Sequence, residues 1–250
     1  MLKITAIPAF QDNYIWMLQK NNHVVIVDPG DAKPVLDVLN HQNLILDAIL
    51  ITHHHHDHID GVTDLIKQFQ PKVYAPANEH FNFPHQSVLE KEIVHLENLN
   101  FNLSVLDIPG HTLGHVAYYG EGHLFCGDTL FGAGCGRLFE GSYQQLYSSL
   151  NKLAALPDDT LVYCAHEYTE RNLQFAKTIE PNNNAIIERI LLTHQIRKAN
   201  QPSLPSSIGL EKATNPFLRC ENQLLQSTLM SNRYDSVDLF KKLRELRNNF

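Results

Sequence analysis

Apolar residues first fall into short, β-branched runs closed by polar or turn-forming residues, and later into longer stretches with helical spacing. Val24 to Val27 is closed by Asp28-Pro29-Gly30, and Ala48 to Thr52 runs into polar residues; both read as buried strands with function in the loops after them. From Asp60 onward, Val62, Leu65, Ile66 and Phe69 repeat at i, i+3, i+4 and i+7, which predicts an amphipathic helix capped by Asp60. Further strands are predicted at 72–75, 103–108, 115–119, 123–126 and 161–164, with Pro109-Gly110 and Gly120-Glu121-Gly122 as turns. Ser142 followed three positions later by Gln145 is a capping-box signature, and Leu146, Leu150 and Leu153 mark one face of a helix over 143–155. Beyond that the pattern turns helical, at 169–179, 184–200 and after Ser236, around a loop at 201–209. An α/β fold over residues 1–168 with a smaller α-helical domain over 169–250 is the expected organisation.

Composition narrows the function without naming it. The 250 residues, 43% hydrophobic and 19% charged, suit a folded globule with a sizeable core. A net charge of −7 offers no general field for a polyphosphate, so a small-molecule partner is expected rather than nucleic acid. The first residues, MLKITAIPAFQDNYIWML, lack the apolar run of a signal peptide, and no stretch reaches the ~18 apolar residues of a membrane span. A cytoplasmic monomer with no membrane partner is the expectation. The four cysteines, Cys126, Cys135, Cys164 and Cys220, form no CxxC pair and suit a reducing compartment; Cys126 and Cys164, in apolar runs, read as buried small residues.

The unusual feature is fifteen histidines, four of them consecutive in Thr52-His53-His54-His55-His56-Asp57-His58, where a strand runs into a helix. Imidazole and carboxylate suit zinc and related divalent ions, and a loop offering His53, His55, Asp57 and His58 can serve two adjacent centres. A polyhistidine tag would sit at a terminus and would not continue into Asp-His-x-Asp-Gly. Further donors stand at strand ends: His115 in Pro-Gly-His-Thr-Leu-Gly-His, Asp128 after Leu124-Phe125-Cys126-Gly127, and His166 after Leu161-Val162-Tyr163-Cys164-Ala165.

In that order HHHHDH, GHTLGH, GDTLF and AHEYT resemble the motif set of the metallo-β-lactamase superfamily. The resemblance implies an αββα sandwich with two metal ions at one edge. It assigns His53, His55 and His115 to the first metal, Asp57, His58 and His166 to the second, and Asp128 to the bridge. His111 would then orient the loop, and Asp28 would support ligand geometry without touching metal. Asp57 and Asp128 are the implied catalytic carboxylates. Zinc is the first expectation for both ions, with iron or manganese as alternatives.

Within that superfamily the opening IPAFQDNYIWML, the segment TLFGAGCGRLFEG and the ending FKKLRELRNNF resemble glyoxalase II, the hydroxyacylglutathione hydrolases. This implies hydrolysis of S-D-lactoylglutathione to glutathione and D-lactate, the second step of methylglyoxal detoxification. Arg137, Phe139 and Tyr168 fall on substrate-binding positions, the first two departing from a Lys and a Tyr usual in some members; Arg keeps the charge, while Phe139 loses a hydroxyl. In the last helix Leu239, Leu243, Leu246 and Phe250 read as one face, with Lys241 and Arg244 on another and Arg247 at its margin. The resemblance gives Arg244 and Arg247 to the glutathione carboxylates. A glutathione persulfide dioxygenase, which uses one iron and oxygen, or another hydrolase of this fold is the alternative; metal stoichiometry and oxygen uptake separate them.

Overall fold

The computed structural model describes residues 1–229 and 235–250. The chain forms two compact units, Met1–Asp107 with Leu113–Gly127, and Ile108–Thr112 with Asp128–Phe250.

In the first unit, β1 (Lys3–Ala9), β2 (Asn13–Lys20) and β3 (His23–Val27) form an antiparallel meander. The helix α1 (Ala32–Gln42) crosses over to β4 (Ile45–Leu50), which runs parallel to β3. Two helices, α2 (His56–Ile59) and α3 (Val62–Phe69), lead to β5 (Lys72–Pro76) and then β6 (Gln86–Val88), both parallel additions to the same sheet. The order β1 to β6 makes a six-stranded sheet. A second antiparallel array follows: β7 (Ile93–Leu96), β8 (Phe101–Asp107), β9 (Val116–Gly120) and β10 (His123–Gly127).

Val24 to Val27 are all buried, as expected of a strand covered on both faces. On one side Val24 and Ile26 join Val35 and Leu39 of α1 and Val62 and Leu65 of α3 in a single core cluster. Tyr118 of β9 donates its hydroxyl to the carbonyl of Ile51 at 2.9 Å, tying the second array to the end of β4. Burial pushes that phenol's pKa well above its ordinary value, so it remains a neutral donor.

The second unit contains a two-strand ribbon, β11 (Leu130–Phe131) with β12 (Gly134–Cys135), then α4 (Tyr143–Ala154), β13 (Leu161–Cys164), α5 (Thr169–Ile179) and α6 (Asn184–Lys198). It ends with β14 (Ser206–Ser207), α7 (Ile208–Thr214), α8 (Gln223–Leu229) and α9 (Ser236–Asn248). The Ser142–Gln145 capping box is present as predicted, and α5 spans the predicted residues. Asp60 does not cap α3: it closes α2 in helical geometry, its carboxylate meets His56 Nδ1 at 3.0 Å, and Gly61 occupies the cap. The loop expected at 201–209 already includes β14 and the first turn of α7, where Ser207 accepts the capping bond from Leu210 N.

Candidate metal centre

Parallel pairing of β3 and β4 sets Val27 beside Leu50, so the residues after both strands emerge together. Asp28, with φ 51°, follows β3; Thr52 and the histidine loop follow β4. Buried Asp28 accepts from Thr52 N at 2.8 Å, from Thr52 Oγ1 at 2.7 Å and from His58 Nδ1 at 3.0 Å. Because the Thr52 hydroxyl proton points at Asp28, the 3.0 Å contact between Thr52 Oγ1 and His53 Nδ1 requires the imidazole to donate. One carboxylate therefore fixes the tautomers of His53 and His58, leaving each Nε2 as a lone-pair donor.

The rest of the loop completes a donor set in this unit. His53 Nε2 and His55 Nδ1 approach to 3.1 Å, a spacing that two facing ring nitrogens hold by sharing a proton or a cation. His58 Nε2 lies 3.5 Å from Asp57 Oδ2, and that oxygen accepts from the Asn13 amide at 2.9 Å. Asp28, His53 and His58 form one of the groups able to hold a metal, but the hydrogen bonds to Asp28 make it the orienting member. His54 and His56 turn elsewhere, His54 to Glu79 at 3.0 Å and His56 to Asp60. Asn13 was not singled out from sequence; its position in FQDNYIW carries no spacing signal.

The second unit brings together Asp128, His166 and His111. His166 Nε2 is 3.3 Å from one oxygen of Asp128, and His111 Nε2 is 3.5 Å from the other. Asp128 thus has an imidazole nitrogen near each of its two oxygens. His111 donates its Nδ1 proton to the carbonyl of Arg137 at 2.8 Å, which again frees Nε2. His115, the ligand expected from the motif, has a different setting. Its ring lies flat on His53, 4.5 Å away at 14°, and its Nδ1 bonds the carbonyl of Val116. Among the described residues His115 belongs to no group able to hold a metal. Imidazoles that orient their nitrogens toward carboxylates and one another in this way fit divalent cations with mixed nitrogen and oxygen ligands.

The expected substrate residues have different settings. Arg137 is exposed, Phe139 is 65% exposed with its ring edge-on to His111, and Tyr168 stacks on His166 at 4.8 Å and 7°. Arg244 and Arg247 do not lie on a solvated face: they are 3% and 9% exposed, while Leu246 and Phe250 are exposed. Arg244 Nη1 donates to the carbonyl of Cys135 at 2.8 Å, and Arg247 donates twice to Asn172 Oδ1. The helix buries its guanidiniums because backbone carbonyls and an amide oxygen accept their protons, a match that hydrophobic spacing does not register. Burial first, then the charges of Arg244, Arg171 and Arg137, brings Arg247 down to about 10. Four guanidiniums thus share one positive field.

The metallo-β-lactamase superfamily model matches residues 10–166, and the model of the hydroxyacylglutathione hydrolase C-terminus matches residues 167–250. The chain is 54% identical over 250 residues to the hydroxyacylglutathione hydrolase of Methylobacillus flagellatus, covering all of both chains. It is 48% identical over 254 residues to that of Nitrosomonas eutropha, again covering both fully. Among solved structures it resembles BLEG-1, a B3 metallo-β-lactamase, with a TM-score of 0.65, 27% identity, and coverage of 87% of this chain and 99% of that one. The C-terminal match separates this chain from the rest of the fold's members: it belongs to the hydroxyacylglutathione hydrolase family of the metallo-β-lactamase superfamily.

Proposed function

We propose that the chain hydrolyses the thioester of S-(2-hydroxyacyl)glutathione, S-D-lactoylglutathione first among them, with two divalent cations held by its own residues. The observation that carries the substrate is the match of residues 167–250 to the hydroxyacylglutathione hydrolase C-terminus. His53, His55 and His111 would hold one ion, Asp57, His58 and His166 the other, and Asp128 would join them; zinc is the proposed metal for both. When bound, such a pair supplies a water acid enough to give hydroxide near neutral pH, and a Lewis acid for the thioester carbonyl.

The chain's own residues provide orientation and recognition. Asp28 holds His53 and His58 in the tautomers that present Nε2, Asn13 steadies Asp57, and the carbonyl of Arg137 does the same for His111. The exposed guanidinium of Arg137, within the field of Arg171, Arg244 and Arg247, suits a glutathione carboxylate, with the ring of Phe139 and the phenol of Tyr168 as further substrate contacts. The departing glutathione thiolate, with a pKa of about 8.5, needs no strong general acid. We place the reaction in residues 1–168, its substrate-binding support in 169–250, and the protein in the cytoplasm as a monomer. Among the described residues no helix is long and apolar enough to cross a membrane.

The test is hydrolysis of S-D-lactoylglutathione by metal-replete protein, beside a β-lactam and an RNA. Thioester turnover with two metals per chain is expected. Full activity with one metal, or a faster reaction on either other substrate, would overturn the reading.

A further inference from the structure

The segment from Asp128 to Arg137 joins two parts of the proposed site. β11 and β12 pair Leu130 with Cys135 and Phe131 with Gly134, and Gly136 N donates to Thr129 O at 3.1 Å. The ribbon thereby returns to its own start: a Cβ on Gly136 would fall 1.9 Å from the carbonyl oxygen of Asp128, so only glycine fits. At one end stands the proposed bridging carboxylate, and at the other Arg137, whose carbonyl orients His111. At the tip, Ala133 has φ 54°, a left-handed conformation that is strained for a residue with a Cβ. Something must hold it there.

We propose that Glu211 of α7 is a positioning residue for the metal centre and for Arg137, acting through this ribbon as the centre of a polar clamp built by the C-terminal helices. This rests on the functional reading above and extends it to residues that touch neither metal nor substrate. Glu211 is fully buried, and its Oε2 accepts from the N–H of strained Ala133 at 2.8 Å and from Asn215 Nδ2 at 3.1 Å. Its Oε1 accepts from Arg189 and from Ser206, each at 2.6 Å, so the charge is neutralised on the side away from the ribbon. Asn215 also donates to the carbonyl of Gly134 at 2.9 Å, and Asn172 to that of Gly132 at 3.0 Å. Arg247 holds Asn172, and Arg244 holds the carbonyl of Cys135.

A buried Arg–Glu pair is weak evidence of stabilisation, because desolvating two charges offsets much of their attraction. Here it does something a hydrophobic replacement cannot: it delivers a carboxylate to an N–H in the tightest turn of the ribbon. Arg244 and Arg247 act on the same ribbon, through Cys135 and Asn172.

The experiment uses the full-length, metal-loaded enzyme and its apo form. Glu211→Gln keeps the volume but opposes an amide to donors on one oxygen. It is expected to raise amide exchange at 131–136 at least about tenfold, as loss of a hydrogen bond to a charged group implies. Zinc affinity should fall and KM for the thioester rise, whereas exchange in β3 and β4 should not change. Adding Ala133→Gly, which relieves the left-handed strain, should restore part of the loss. If Glu211→Gln does not fold, Asn215→Ser leaves the ion pair intact and keeps an oxygen to cap Phe217 N, while removing the amide donated to Gly134, and the same local changes are expected. Unchanged exchange at 131–136 with unchanged zinc affinity in a folded variant would overturn the clamp. Exchange and zinc binding do not require thioester turnover, so failure of the substrate assignment would leave these two readouts to decide.

Discussion

Replacing Asp28 by Asn tests how the chain prepares its imidazoles for metal. The substitution is nearly isosteric, and Asn tolerates the φ of 51° as Asp does, so charge and hydrogen-bond direction change while backbone strain does not. One amide oxygen can still accept from Thr52 N at the 2.8 Å position, but an NH2 replaces the oxygen that faces Thr52 Oγ1 and His58 Nδ1. That NH2 donates where both neighbours also donate. The hydroxyl of Thr52 must rotate and give its proton to His53 Nδ1, and His58 must accept at Nδ1. Both rings then carry their proton on Nε2, the atom proposed to meet the metal. Outer partners of metal-binding histidines are worth about 10–100-fold in affinity, or roughly 1.4–2.7 kcal/mol. Asp28→Asn should weaken zinc binding by at least that range, since one change reverses two rings. Competition of the apoprotein against a chromophoric chelator measures the affinity, nitrogen-15 shifts of the imidazoles report the tautomers, and circular dichroism checks folding. A folded variant that binds two zinc ions as tightly as the parent would refute the reasoning.

Four further outcomes are expected. His111→Gln should lose metal, whereas His115→Gln, which removes a ring stacked on His53, should retain it; elemental analysis of the two decides between the histidines. Asp128→Ala removes the carboxylate that faces both His111 and His166, and should cost more than the about 10–100-fold of an outer partner in metal affinity and turnover. His54→Ala and His56→Ala should keep both metals because their rings pair with Glu79 and Asp60; loss as severe as in His55→Ala, in folded protein, would contradict this. Arg137→Ala should raise KM about ten- to a hundredfold for the glutathione thioester and change a thioester lacking the glutathione carboxylates little, while Arg244→Ala should impair both substrates alike.

Sequence carried the fold where one local signal decided the outcome. The β-branched run at 24–27, the Ser142–Gln145 box and the helix at 169–179 each depend on neighbours within a few residues. That His54 and His56 turn to Glu79 and Asp60 is likewise a matter of local geometry for His56, whose partner lies one helical turn on, but not for His54. The settings of His111 and His115 were not legible: GHTLGH presents two histidines, and one is bonded to the carbonyl of Arg137, 26 residues away, while the other is bonded to that of its neighbour Val116. The burial of Arg244 and Arg247 was not legible because a helical wheel counts a guanidinium as polar, whereas a carbonyl of the ribbon and the amide oxygen of Asn172 accept their protons in the core. Glu211, a lone acid in IGLEKAT, carries no motif or spacing signal; only the folded partners of its two oxygens reveal it.

The four cysteines are all reduced and all buried, none more than 6% exposed. Burial raises the thiol pKa of Cys135 and of Cys220, which keeps both in the unreactive protonated form. Thiol–disulfide exchange proceeds through a thiolate and requires an approach to sulfur; burial denies the approach at all four cysteines and opposes the thiolate at Cys135 and Cys220. A catalyst whose proposed product is itself a thiol would therefore work in a pool of its own product, and of the oxidised disulfide that accompanies it, with no sulfur available for a mixed disulfide. Its activity would follow substrate and metal supply, and would be indifferent to the redox poise of the glutathione pool.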